Sequence, residues 1–204
     1  MNLSGIAGLP TGPENAVWFR AIQPHHWNTA LNTAQTTTYR SRFNGGPIAN
    51  PLFEILYVAQ DPVVAMFEVG ALLGSAYGNY LPQPAQAWIS LNVKVVLQTV
   101  ADLTTSAAQL TLGATVQELT GDWLGYQQRQ HSLSLNQPAG LAPTQSLGAA
   151  LFTVPGLEAF KTVSARITDK RTLVIFPQKL RIGSSIQFQD TLTMHLQTIS
   201  GKQP

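Results

Sequence analysis

The stretch FEILYVAQDPVVAMFEVGALLG, residues 53–74, sets two hydrophobic patterns side by side. Ile55 to Ala59 is a continuous apolar run of strand length. Asp61 can cap a helix, and Pro62 suits its first turn. A helix is then predicted toward Gly74, with Val63, Val64, Met66, Phe67, Val69, Leu72 and Leu73 covering most of its circumference and Glu68 as its only charge. Gly70, Gly74 and Gly78 recur every four residues, which reads as close packing at Gly70 and a C-cap at Gly74.

Elsewhere the pattern is less regular. Residues 1–15 are small and polar, with Pro10 and Pro13, and read as a flexible arm ahead of a domain spanning 16–204. AVWFRAI (16–22) alternates as a strand with Arg20 inside it, and 25–34 suits a short helix. TTTYRSRFNGGPIANP (36–51) is a loop dense in turn formers that carries Tyr39, Arg40 and Arg42. Residues 87–103 contain a strand rich in Val, Leu and Ile. Thr115 and Glu118 have capping-box spacing. Residues 122–144 read as an irregular connection, and 145–154 as a helix or a buried segment. TVSARI and RTLVIF flank TDKR and predict a hairpin, and 184–199 alternates as strand. With no repeat and no linker, one compact α+β domain is the economical architecture.

A chain of 204 residues can bury a substantial single core. Charged residues are only 11%, against roughly 25% on average. A surface built largely from Gln, Asn, Ser and Thr repels partners weakly, which favours an oligomer or a protein complex. The formal net charge is +2, and no Lys or Arg run is interleaved with aromatics, which argues against direct nucleic-acid binding. Without Cys there is no disulfide, thiolate catalysis or cysteine-liganded zinc. The start, MNLSGIAGLP, lacks a basic region and an apolar stretch, and the most apolar segment is too short and interrupted to cross a bilayer. A cytoplasmic protein without membrane contact is the expectation.

The nucleophile elbow, the P-loop and the dinucleotide fingerprint are missing. His25, His26, His131 and His195 lack the spacing of a helical zinc site, so no metal is expected. Three residues do place a polar group in an apolar setting: Arg20 in VWFRAI, Glu68 in AMFEVG and Ser164 in KTVSARI. Each has a plain explanation: an edge-strand Arg, a Glu on a helix's narrow solvent face, an outward strand Ser.

Together these stretches resemble the RES domain family, named for its Arg, Glu and Ser. WFRAI is similar to the family's opening strand, and SRFNGG to its Arg-bearing loop, with Phe43 and Asn44 where many members carry Trp-Asn. ILYVAQDPVVAMFEVGALLG resembles its strand and Glu helix, GDWLGYQ and APTQSLGAALF its central Trp and Gln-x-x-Gly stretch, and TVSARITDKRTLVIFP its Ser-bearing strand and turn.

The resemblance implies an α+β fold related to ADP-ribosyltransferases. It also implies a toxin of a toxin–antitoxin pair that consumes NAD+ as substrate, by phosphorolysis, hydrolysis or ADP-ribosyl transfer. No bound cofactor is expected. The implied partner is an Xre-type helix-turn-helix antitoxin, in a hetero-oligomer. Two alternatives share the fold: an inactive binding module, and a delivered effector with the same chemistry. The implied catalytic residues are Arg20, Glu68 and Ser164. Glu68 would stabilise charge developing on the ribose. Ser164 would donate to ribose or to the nicotinamide amide. Arg20 and Arg42 would hold the pyrophosphate. Tyr57, with Tyr39 as a second candidate, would stack on nicotinamide.

Overall fold

The computed structural model of the chain describes residues 1–129, 140–190 and 192–202. In chain order its elements are β1 (Thr11–Ile22), β2 (Leu56–Ala59), α1 (Pro62–Glu68), β3 (Leu72–Gly74), β4 (Tyr80–Pro82), β5 (Ile89–Asp102), α2 (Ser106–Thr111), α3 (Val116–Leu119), α4 (Trp123–Arg129), α5 (Pro143–Thr153), β6 (Ala159–Val163), β7 (Arg171–Ile175), β8 (Ser185–Gln189) and β9 (Leu196–Ser200), with short 3-10 turns between them.

The main sheet runs β1-β2-β7-β6-β5-β8-β9, and β1 also pairs with β5. Five strands therefore close into a ring, and the β8–β9 hairpin extends from it. Closure depends on the length of β5. One edge carries β1 along residues 89–101, while the other carries β8 at 93–96 and β6 at 100–102. At the ring's weakest seam β1 and β2 meet at a single register position, Phe19 opposite Ala59.

Alternation along the strands separates the two largest core clusters, and a third, smaller one lies against α1. Trp18, Leu56, Val58, Leu91, Val93, Val95, Leu173 and Ile175 fill one side. On the other, Phe43, Phe53, Phe160 and Phe176 pack with Leu119, Leu147 and Leu151 from the helices. Fully burying each such side chain stabilises by about 1.5–3 kcal/mol. Helix α5 lies close on the 36–51 loop. A Cβ at residue 148 would stand 1.9 Å from the Phe43 carbonyl oxygen, so only Gly148 fits there. Gln145 joins the same two elements by donating to the Ser41 carbonyl at 2.9 Å.

The α+β architecture agrees with the sequence reading, as do the β6–β7 hairpin and the Thr115–Glu118 capping box. Four boundaries differ. Helix α1 stops at Glu68 rather than near Gly74. Gly70 takes φ +72° and donates to the Phe67 carbonyl, and Ala71 donates to the Met66 carbonyl, a Schellman ending that apolar periodicity does not register. The first fifteen residues are no loose arm. Thr11 onward is strand, Leu9 is buried, and Asn2 donates to the Leu112 carbonyl at 2.5 Å. The supposed irregular connection begins with α4, and 184–199 is two strands rather than one. His131 lies outside the described residues. Among the described residues no helix is long and apolar enough to cross a membrane, and no group of three or more His, Asp or Glu could hold a metal ion.

Candidate active site

Helix α1 is short and fixed at both ends. Asp61 accepts from the Val64 N–H at 2.9 Å, Pro62 begins the first turn, and the Gly70 ending stops the last. Val64, Ala65 and Phe67 are buried, while Glu68 lines a cleft of about 300 Å³. One of its oxygens, Oε1, accepts from Ser164 Oγ at 2.5 Å, from the Ala165 N–H at 3.0 Å and weakly from Thr172 Oγ1 at 3.5 Å. Among the described residues no hydrogen bond reaches Oε2. The carboxylate is thus held by one oxygen with the other available.

Ser164 reaches Glu68 because it sits where β6 turns toward β7. Its N–H donates to the Lys170 carbonyl at 2.8 Å, and its Oγ accepts from the Arg166 and Ile167 N–H groups at 3.1 and 3.2 Å. It is wholly buried, and its hydroxyl donates its proton in a hydrogen bond to Glu68 Oε1. The sequence reading gave that proton to a substrate; the structure gives it to the carboxylate.

The 36–51 loop brings the cations. Asn44, wholly buried, donates to the Thr36 and Phe53 carbonyls at 3.2 and 2.9 Å and accepts from the Gly46 N–H at 2.8 Å. Gly46 at φ +58° lets the chain turn back there. Arg42 lies beside this knot, 6% exposed, its guanidinium carbon 4.9 Å from the centre of the Phe43 ring. Among the described residues neither Nη1 nor Nη2 of Arg42 has a hydrogen-bond partner. That is an uncommon state for a buried charge, and one that an arriving anion would relieve.

Arg20 shares a strand face with Trp18 and Ile22. Beyond the single Phe19–Ala59 pairing its guanidinium reaches the Tyr57 carbonyl, at a long 3.4 Å, and among the described residues its Nε has no hydrogen-bond partner. Burial pulls its pKa down to about 10, which leaves it charged at neutral pH. Tyr57 is fixed by its hydroxyl, which meets Ser41 Oγ and accepts from the Phe43 N–H, each at 3.0 Å. Burial pushes the phenol's pKa up, partly opposed by the Ser41 hydrogen bond and the charge of Arg42, so it stays neutral.

Arg20, Arg42, Tyr57 and Glu68 therefore line one cleft, with Ser164 directly behind Glu68. Tyr39 is 71% exposed and is not among the lining residues. Ser41, Trp123 and Thr172 also line the cleft and carry no local signal of it. Thr172 reads as an ordinary strand residue, and Trp123 stood only within a family-like stretch. The lining holds two cations against one carboxylate, a site suited to an anionic ligand with a centre that becomes positive beside Glu68.

A family model described as the RES domain matches residues 17–197. No curated protein matches the chain. Among solved structures, the crystal structure of the M. tuberculosis MbcT-MbcA toxin-antitoxin complex contains a similar chain. Its TM-score is 0.63 at 19% identity, covering 97% of this chain and 91% of that one. At that identity the likeness speaks for the fold.

Proposed function

The chain belongs to the RES domain family, and from that premise we propose that it is an NAD+-consuming toxin of a bacterial toxin–antitoxin pair. The observation that carries the chemistry is the Glu68 carboxylate, held through Oε1 and, among the described residues, free at Oε2, in a cleft with a buried guanidinium whose terminal nitrogens have no hydrogen-bond partner among those residues.

The reaction breaks the bond between ribose C1′ and the pyridinium nitrogen. The electron pair goes to nitrogen, nicotinamide leaves neutral, and positive charge develops on the ribose. Glu68 faces that charge without having to reorganise, since Ser164 and the Ala165 N–H already hold it. Arg42 and Arg20 take the pyrophosphate. Tyr57 stays protonated and forms part of the cleft wall. The acceptor is water, phosphate or a protein side chain, whose proton passes to solvent. The protein works in the cytoplasm and is silenced by an Xre-type helix-turn-helix antitoxin that covers the cleft. A likeness to a chain from a toxin-antitoxin complex supports this reading.

Incubation of the purified protein with NAD+, with and without phosphate, tests the proposal through nicotinamide release. Catalytic release is expected, and the sugar product identifies the acceptor. No release under either condition would sink the enzymatic reading.

A further inference from the structure

Trp123 opens α4 and forms part of the wall of the Glu68 cleft. Asp122 fixes that helix start by accepting from the Gly125 N–H at 3.0 Å. A Cβ at residue 125 would stand 2.7 Å from an Asp122 oxygen, so the glycine lets this turn close. Trp123 is half-buried, and among the described residues no ring stacks on it and no acceptor meets its indole N–H. The other three tryptophans are placed elsewhere. Trp18 donates to Glu14, Trp27 meets Phe188 edge-on, and Trp88 packs against the α1 core.

Resting on the proposed NAD+ chemistry, we propose that Trp123 stacks on the cationic pyridinium ring of the substrate. Cavity size decides between the two ends of a dinucleotide. About 300 Å³ is the lower limit of ordinary ligand pockets, and Glu68 and Trp123 line the same small space. Glu68 must lie against the scissile C1′–nitrogen bond. The ring on that carbon therefore fills the cavity with it, and the adenine end lies outside. Indole is the strongest aromatic partner for a cation. The pyridinium is positive only until the bond breaks, so the stack holds substrate more firmly than transition state or product. Its loss raises KM and kcat together and leaves kcat/KM nearly unchanged.

The test uses the intact protein, its Trp123→Leu variant and its Trp123→Phe variant, with matched melting temperatures as the check on folding. The probes are 1-methylnicotinamide, an alkylpyridinium without a scissile bond, and ADP-ribose, which lacks the pyridinium. We expect 1-methylnicotinamide to quench tryptophan emission in the wild type and not in Trp123→Leu. KM for NAD+ should rise about tenfold in Trp123→Leu and far less in Trp123→Phe. ADP-ribose affinity should be unchanged. Equal loss of ADP-ribose affinity would place the indole on adenine and overturn the assignment, as would an unchanged KM in Trp123→Leu. Quenching by 1-methylnicotinamide without NAD+ turnover would support the stack and reject the proposed reaction.

Discussion

Two concavities of this molecule differ in size and in how their polar groups are satisfied. The larger, about 1230 Å³, is walled by residues 28–33, 177–182 and 197–200. Its polar groups largely serve one another. Lys179 donates to the Phe152 and Val154 carbonyls, and Glu54 accepts from Thr33 Oγ1 at 2.5 Å. Gln197 joins the Leu31 N–H to the Trp27 carbonyl at 3.0 and 2.8 Å. The Glu68 cleft is about a quarter as large, yet among the described residues both terminal nitrogens of buried Arg42 and Nε of Arg20 have no hydrogen-bond partner. Volume alone does not mark chemistry. A fold that tolerates the cost of an unpaired buried charge marks where a ligand completes the hydrogen bonding.

The contrast can be broken most forcefully at Glu68. Glu68→Gln keeps an oxygen to accept from Ser164 and the Ala165 N–H but removes the charge. NAD+ consumption should fall by roughly 10²–10³ with the melting temperature preserved; a folded variant with undiminished turnover would remove Glu68 from the mechanism. Arg42→Met keeps most of the volume and deletes the unpartnered cation. KM should rise by about 10–100-fold, while the melting temperature stays level or climbs because no buried charge is left unpaired. Ser164→Ala leaves Glu68 ionised but loosely held, so kcat should drop by about tenfold with KM little changed. A purely structural Ser164 would instead lower the melting temperature and leave kcat per folded molecule intact. Lys179→Met, in the larger groove, is the reverse control. It strands two carbonyls and should cost about 1–3 kcal/mol in denaturant unfolding, with NAD+ turnover unaltered.

Local chemistry made part of this legible. Asp61–Pro62 starts a helix by capping geometry that any sequence context would honour, and a lone Glu in an apolar helix raised the right question. The ends of elements were harder to see. The stop at Gly70 depends on a left-handed residue and two carbonyl contacts, and periodicity does not distinguish that glycine from the one at 74. The N-terminal strand contains Gly12 and Pro13, poor strand formers, and exists because the long β5 offers a template. Long-range partners left little trace: the family-like stretch pointed to Ser164, and nothing pointed to Thr172. Ser164 and Thr172 are 96 and 104 residues from Glu68, and only the folded β6–β7 hairpin brings their hydroxyls to its carboxylate. Trp123 enters the cleft because Asp122 starts α4 where the spacing suggested a loop.

The most direct test of which concavity holds the function is a crystal structure of the Glu68→Gln variant with NAD+. The predicted result is a pyrophosphate on Arg42, a ribose beside residue 68 and a nicotinamide ring in the cleft, with the larger groove empty. NAD+ bound along residues 177–182 and 197–200, with Arg42 still unpartnered, would contradict the assignment.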